Sequence, residues 1–372
     1  MSISRRTLLR SAVAASVVAP ATPALAAHVA GRGNPQLPAK PFRIDVHVHH
    51  IPDFYRVAAA EHGIVTAGGI PLPAWSPQLA VEFMDSYGVQ AQVVSISEPG
   101  VTFMPDPASR LALAQQVNDY TTETLINAKS GLLHKRFGGF AVLPLGDLNN
   151  PQDIANACKE AVRAIKVLKM DGVGLLSSYH GIYLGDPRLE PLMATLNTLG
   201  AFVFIHPVTP IAYPDLHLPT FLYEFPFETT RAVVNLSYLQ VFTRYRRIRW
   251  LLAHAGGTIP FLAYRTSLLE VVPAAGQNLG VKKIDKQNLD YGRLFYDTAL
   301  SPAPSAMRSV RSVTSLRHIM FATDWPFAGP VFVTPGDPAP QLSETFNARE
   351  RHAVERNNAL AQLPTLARRL AG

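Results

Sequence analysis

Eight short apolar runs recur along this chain, and helical stretches separate them. The runs are rich in β-branched and aromatic residues and are apolar throughout, where a half-exposed strand would alternate apolar and polar residues. Continuous apolarity is typical of parallel strands that are covered on both faces. The predicted strands are residues 42–46, 89–96, 137–143, 172–176, 201–205, 249–253, 294–298 and 318–323.

Eight strand–helix units in about 330 residues predict a single α/β domain with the (β/α)8 TIM-barrel architecture. A doubly wound open sheet is the alternative. No G-x-G-x-x-G follows any predicted strand, which argues against a dinucleotide-binding fold. Residues 51–75 contain repeated glycines and prolines and are predicted to form a long loop.

The first 26 residues predict an export leader that is not part of the fold. Ser4-Arg5-Arg6-Thr7-Leu8-Leu9-Arg10 is a twin-arginine motif, and Ala24-Leu25-Ala26 is a small-residue cleavage pattern. We therefore expect a leader at 1–26, an extended arm at 27–41, a barrel domain at 42–372, and a periplasmic location. The twin-arginine route carries folded proteins, often with their metal already bound.

Composition excludes several classes of partner. The formal charge of +7 includes Arg5, Arg6 and Arg10, so removing these three leaves about +4. No stripe of Lys and Arg is interleaved with aromatic residues, so we expect no nucleic-acid partner. Beyond the leader, no stretch reaches the roughly 18 unbroken apolar residues of a membrane span, so we expect no membrane insertion after leader removal.

Polar residues recur where the predicted strands end. His47 and His49 end the first strand, and residues two apart on a strand share a face. His206, His254 and Asp324 follow the fifth, sixth and eighth strands. Catalytic groups of a TIM barrel lie at the carboxyl ends of its strands. A lone histidine there is more often structural, but several histidines and an aspartate at one rim suit a divalent transition metal, most simply Zn²⁺.

Three stretches carry a family resemblance. They are Ile44-Asp45-Val46-His47-Val48-His49-His50-Ile51-Pro52, Phe225-Pro226-Phe227-Glu228-Thr229-Thr230-Arg231 and Phe295-Tyr296-Asp297-Thr298-Ala299. With them, the chain resembles the amidohydrolase superfamily in its aminocarboxymuconate-semialdehyde decarboxylase branch. Within that branch it is most similar to 6-methylsalicylate decarboxylase-like proteins, over about residues 42–365.

The resemblance implies roles for particular residues. The implied metal ligands are His47, His49, His206 and Asp324. His254 matches the catalytic histidine beside the metal. Arg265 matches an arginine that crosses a dimer interface to hold a substrate carboxylate, which implies a homodimer or a dimer-based oligomer.

The resemblance also bears on the number of metal ions. Many amidohydrolases carry a carbamylated lysine at the end of strand four that bridges two metals. Here that strand reads Gly172-Val173-Gly174-Leu175-Leu176-Ser177-Ser178. We therefore expect one divalent ion, Zn²⁺ first and Mn²⁺ second, and no organic cofactor.

The expected function is metal-dependent, non-oxidative decarboxylation of a small aromatic or dienoic carboxylic acid such as a hydroxybenzoate. Protonation of the ring carbon that loses CO₂ needs an acid, and Asp324 or a water held by His254 are the candidates. One alternative is a hydrolase that opens a lactone, ester or amide at the same mononuclear site. A second alternative is a non-catalytic periplasmic binding protein.

Overall fold

Parallel strands form the centre of the computed structural model, which describes residues 40–267 and 291–372. They pair in chain order into one eight-stranded parallel sheet. The strands are β1 Arg43–His49, β2 Val89–Ser95, β3 Phe137–Val142, β4 Gly172–Leu176, β5 Phe202–His206, β6 Arg249–Leu252, β7 Phe295–Asp297 and β8 Ile319–Met320.

The first and last strands meet, which closes the sheet. The main-chain N–H of Val46 donates to the Phe321 carbonyl at 3.1 Å, and that of Asp324 donates to the His47 carbonyl at 2.9 Å. Val48 forms a parallel bridge with Trp325. The TIM-barrel prediction is therefore confirmed, and the open-sheet alternative is wrong.

Helices connect the strands, as the βαβ pattern requires. The described helices are α1 Asp53–Glu61, α2 Pro77–Ser86, α3 Pro107–Tyr120, α4 Pro151–Val162, α5 Glu190–Leu199, α6 Glu224–Tyr238, α7 Val241–Arg244, α8 Ile259–Ser267, α9 Pro304–Val313, α10 Ala348–His352, α11 Asn358–Gln362 and α12 Pro364–Ala371. Wider π turns occupy Thr121–Ile126, Arg163–Val167 and Ala353–Asn357. Tighter 3₁₀ turns occupy Pro187–Leu189, Thr220–Leu222, His254–Gly256, Tyr291–Arg293, Leu316–His318, Gly329–Val331 and Pro340–Glu344. Two short antiparallel pairs, Thr66–Ala67 with Ile70–Pro71 and Ser178–Tyr179 with Ile182–Tyr183, complete the elements.

Local sequence sets several helix ends. The Ser76 side chain accepts from the main-chain N–H of Leu79 at 3.1 Å, and Pro77 occupies the first helical position of α2. A serine cap followed by proline is a strong helix start because proline lacks the N–H that a first turn leaves unpaired. Gly200 ends α5 with φ of 60°, a conformation in which a side chain would be strained.

The predicted loop at 51–75 is wrong in its first half, where α1 lies. Asp53 stands in the first turn of α1, where a carboxylate is favourable, and Tyr55 and Ala59, four residues apart, are buried. The prolines and glycines on either side of α1 led to the prediction of a loop over this short helix.

The barrel interior is closed at its amino end by the C-terminal helices. Ala359, Leu363 and Leu366 are fully buried and pack in one cluster with Ile44 and Val46 of β1. The opposite, carboxyl end of the strands carries the polar side chains.

Residues 1–39 lie outside the described part of the chain, and with them the predicted leader and most of the arm at 27–41. The described residues belong to one compact unit. Within residues 40–267 and 291–372, no helix combines the length and apolarity needed to cross a membrane.

Candidate metal centre

Four side chains from three parts of the chain converge at the carboxyl end of the barrel. His47 and His49 leave β1 on the same face, His206 ends β5, and Asp324 follows β8. All four are buried. Each offers one ligand atom, and these four atoms lie within 4.8 Å of one another.

The distances inside this group are those of donors that face a common centre. The Nε2 atoms of His47 and His49 are 3.0 Å apart. Asp324 Oδ1 lies 3.1 Å from His49 Nε2 and 3.3 Å from His47 Nε2. Three imidazole nitrogens and one carboxylate oxygen are a donor set that suits Zn²⁺ or a similar divalent ion, so the residues present fit such a metal.

Three neighbouring oxygen atoms orient the three imidazole rings. His47 Nδ1 lies 2.8 Å from Asp297 Oδ2, His206 Nδ1 lies 2.7 Å from the Pro207 carbonyl, and His49 Nδ1 lies 3.4 Å from Ser95 Oγ. Acceptors at Nδ1 fix the ring orientation and leave Nε2 as the donor atom toward a metal.

The pKa shifts of the four side chains favour a positive charge at the centre of the group. Burial acts to lower the pKa of His47, but the carboxylates of Asp324 and Asp297 outweigh it and raise this pKa to about 10. Burial acts to raise the pKa of Asp324, but His47 and the neighbouring histidines hold it well below its usual range. Burial, with the nearby histidines, lowers the pKa of His206. A cation at the centre would balance the negative charge of the Asp324 and Asp297 carboxylates, which a protonated His47 otherwise balances.

Asp45 and Thr323 hold the loop that presents Asp324. Asp45 Oδ2 accepts from Thr323 Oγ1 at 2.6 Å, and Oδ1 accepts from the Thr323 main-chain N–H at 3.1 Å. Asp324 follows directly with φ of 60°, a left-handed conformation that is unfavourable for most residues. The Asp45 bonds across the β1–β8 junction therefore keep Asp324 turned toward the histidines.

His254 lies beside the group, in the turn that follows β6. Its Nε2 is 3.4 Å from Asp324 Oδ2, the carboxylate oxygen that is not directed at His47 and His49. Its ring is buried, and its Nδ1 has no hydrogen-bond partner among the described residues. The imidazole of His254 therefore contacts a candidate ligand through Nε2 and keeps a buried Nδ1 without a partner among the described residues.

Aromatic and aliphatic side chains surround the polar group. The Phe225 ring stacks on His254 at 6.3 Å between centroids and meets the His206 ring edge-on at 5.8 Å. Phe327 packs edge-on against His49 at 5.4 Å. A cavity of about 20 Å³ beside His206 is lined by Ser95, Tyr179 and apolar side chains that include Ile96, Val101, Leu143, Leu145 and Leu176. The site is polar at its base and apolar in its walls.

Two further expectations concern the end of β4 and Arg265. The end of β4 carries Leu176 and Ser177, not a lysine, and the four-residue group fits a single divalent ion. Arg265 lies in the last turn of α8 with an exposed side chain, outside the buried His/Asp group. Its predicted role across a dimer interface stays a prediction.

Sequence reasoning missed two residues that touch the site. Asp297 enters the sequence analysis only as part of a motif, and nothing local pairs it with His47, 250 residues away. Phe225 was noted only as part of a motif. The strand-end position of Asp297 and the aromatic start of the Phe225 motif were the available signals.

Comparison with known proteins gives a consistent result. The family model described as amidohydrolase matches residues 44–364. The chain is 30% identical over 295 residues to 6-methylsalicylic acid decarboxylase of Penicillium expansum, covering 77% of this chain and 85% of that protein. It is 32% identical over 307 residues to decarboxylase yanB of Aspergillus niger, covering 77% of each.

Solved structures share the fold. The 5-carboxyvanillate decarboxylase of Novosphingobium aromaticivorans, solved with manganese, matches with a TM-score of 0.71 and 18% identity. The match covers 87% of this chain and 96% of that one. At this identity the likeness supports the barrel architecture.

Proposed function

This chain belongs to the amidohydrolase family, and we propose that it is a metal-dependent, non-oxidative decarboxylase of a small aromatic carboxylic acid such as a 6-methylsalicylate-like hydroxybenzoate. The observation that carries the proposal is the buried group of three histidines and one aspartate with His254 beside it. Its relatives 6-methylsalicylic acid decarboxylase and decarboxylase yanB supply the reaction class.

His47, His49, His206 and Asp324 would hold the ion. We propose Zn²⁺ as the resident metal, on the basis of the nitrogen-rich donor set, with Mn²⁺ as the competitor. When bound, the ion supplies a Lewis acid that neutralises the phenolate and carboxylate oxygens of the substrate.

His254 and Asp324 are the proposed proton-handling pair. Decarboxylation replaces the C–CO₂⁻ bond of the ring by a C–H bond, so one proton must reach that ring carbon before CO₂ leaves. The 3.4 Å contact between His254 Nε2 and Asp324 Oδ2 lets the two side chains share this proton.

The walls of the site support an aromatic substrate. Phe225 packs against His254 and His206, and Phe327 packs against His49. A ring stacks well against such walls. An apolar environment also disfavours the charged carboxylate relative to neutral CO₂, which helps the reaction forward.

The first experiment measures metal in the mature chain from Ala27 by elemental analysis, beside a His206→Ala variant. We expect about one Zn or Mn per chain, lost in the variant. CO₂ release from a panel of hydroxybenzoates follows, with lactones and esters as controls. Turnover of only the lactones or esters would make the protein a hydrolase. A well-folded chain that binds no metal after reconstitution would refute both enzyme functions and favour the binding protein.

We also propose that the active form is a homodimer or dimer-based oligomer. Phe261 and Tyr264 on α8 have exposed fractions of 83% and 79%, and Arg265 is exposed beside them. Large exposed aromatic side chains mark interaction surfaces, and a second copy would cover them. Sedimentation of the wild type and of Phe261→Glu tests this, since the charged variant should shift to the monomer. An unshifted variant would place the interface elsewhere or exclude one.

The proposed location is the bacterial periplasm. Residues 1–26 would direct export of the folded chain by the twin-arginine route. Fractionation of cells that express the full chain should find the mature form outside the cytoplasm. Replacing Arg5 and Arg6 together by lysine should retain the precursor inside. Unaltered export of this variant would contradict the proposal.

A further inference from the structure

Asp297, at the carboxyl end of β7, contacts both functional halves of the site. Its side chain is fully buried. Oδ2 lies 2.8 Å from His47 Nδ1, whereas Oδ1 accepts from the main-chain N–H groups of His254 at 2.8 Å and Ala299 at 3.0 Å. We propose that Asp297 is a positioning residue that fixes the metal-binding tautomer of His47 and the backbone of His254 together. This inference rests on the proposed metal-dependent function.

The His47 ring is the first group that Asp297 positions. A carboxylate oxygen accepts hydrogen bonds, so the short contact with Oδ2 places the imidazole proton on Nδ1. With one proton held on Nδ1, Nε2 is the nitrogen at which a metal would replace the second proton, and it faces His49 Nε2 at 3.0 Å and Asp324 Oδ1 at 3.3 Å. Asp297 therefore selects the tautomer in which His47 can bind a metal.

The backbone of His254 is the second group that Asp297 positions. His254 and Ala255 have φ of 54° and 58°, in the left-handed region that residues with a side chain rarely adopt. Such a conformation persists when surrounding bonds hold it. The bond from the His254 N–H to Asp297 Oδ1 supplies that restraint and directs the ring toward Asp324 Oδ2.

One substitution separates this role from packing. In Asp297→Asn the side-chain oxygen can still accept from the His254 and Ala299 N–H groups. The amide NH₂ then faces His47 Nδ1 as a donor, which favours the His47 tautomer with its proton on Nε2. That proton points at the metal position, so the nearly isosteric variant should bind metal poorly while keeping its fold.

The test titrates metal-free mature protein with Co²⁺ at fixed pH and records both affinity and the visible absorption bands of the bound ion. We expect Asp297→Asn to raise the Co²⁺ dissociation constant about 10- to 100-fold and to change the band pattern. The matched control is Asp171→Asn, which alters a buried carboxylate at the amino end of β4, where it accepts from Gly139 and Arg369. This control should keep the wild-type affinity and spectrum, with folding checked by circular dichroism.

The outcomes are distinct. Wild-type Co²⁺ affinity and spectrum in a folded Asp297→Asn variant would overturn the positioning role and leave the proposed function intact. An equal loss in Asp171→Asn would also overturn it, since any buried carboxylate would then suffice. A wild-type chain that binds neither Co²⁺ nor Zn²⁺ would refute the proposed function, and the inference with it.

Discussion

Asp324 uses its two carboxylate oxygens for different partners. Oδ1 faces the Nε2 atoms of His47 and His49, and Oδ2 faces His254. One residue can therefore serve as a ligand and stay in contact with the His254 imidazole. This division requires a fixed side-chain orientation, which the Asp45–Thr323 bonds provide from the neighbouring strand.

Replacing His254 by alanine should reduce decarboxylation without removing the metal. His254 is not one of the four converging ligand residues, and loss of a proton-transfer group typically costs about 10²- to 10⁴-fold in rate. The measurement is kcat on the best hydroxybenzoate together with metal content per chain. His62→Ala, at an exposed histidine after α1, is the control and should match the wild type. A variant with normal kcat would exclude His254 from the chemistry.

Glu98 is a buried carboxylate that joins two loops over the barrel rim. It accepts from the Gly68 main-chain N–H, from the Thr209 main-chain N–H and from Thr209 Oγ1 at 2.9 Å. Burial raises its pKa, and the nearby Glu228 adds to the effect, although these bonds act to lower it. The folded state therefore holds the Glu98 proton more tightly than the unfolded chain does.

The raised pKa of Glu98 predicts how the free energy of unfolding changes with pH. Because the folded pKa is raised, the stabilisation is complete below the ordinary value of 4.5 and is lost as the pH rises through the folded pKa. The free energy of unfolding of the wild type relative to Glu98→Gln should therefore fall with rising pH, by at most about 1.4 kcal/mol per pH unit. Denaturant unfolding from pH 4 to pH 8 measures it. Glu82→Gln, at an exposed position of α2, controls for the loss of any carboxylate.

At the scale of elements, the C-terminal helices close the amino end of the barrel. Leu363 and Leu366 enter the inner cluster with Ile44, Val46 and Phe204, at 0–1% exposure each. Arg369 of α12 adds a bond to Asp171 Oδ2 at 2.6 Å, at the amino end of β4. The segment that ends the chain thus stabilises the strands that carry the site at their other end.

Leu366→Ala should therefore lower the free energy of unfolding by about 2–5 kcal/mol, since it leaves a cavity among well-packed side chains. Leu79→Ala on α2 is the matched control, because 41% of that side chain is exposed and little packing is lost. Urea unfolding compares both variants with the wild type. Equal effects of the two substitutions would show that α12 does not close the core as described.

At the scale of the whole molecule, the candidate ligands connect distant parts of the barrel. His47 and His49 come from β1, His206 from β5, and Asp324 from the segment after β8. A metal held by these four residues would bind the folded barrel and not the unfolded chain. Metal binding and folding would therefore be coupled.

Removing the metal with a chelator should lower the melting temperature by several degrees. A ligand present at 100 times its dissociation constant stabilises the folded state by about 2.7 kcal/mol. Differential scanning calorimetry with and without chelator measures the shift. His206→Ala should melt at one temperature in both conditions, whereas a chelator effect of wild-type size in this variant would mean that the ion binds elsewhere.

The sequence by itself determined the parts of this protein that local rules control. Apolar runs of strand length give parallel strands, and serine or asparagine before proline starts α2 and α4. His47 and His49 share a face because side chains on a strand alternate. Knowing that strands of a barrel end at one rim brought the histidines and Asp324 together before any distance was known, and the family resemblance supplied the choice of four ligands among them.

Only the tertiary structure decided which atoms meet. The bond between His47 and Asp297, the tie from Asp45 to Thr323 and the Glu98 contacts join residues 30 to 278 positions apart. Such contacts depend on the register and closure of the barrel, to within an ångström. Local propensity and periodicity carry no information at that range, because the same residues in a shifted register would face other partners.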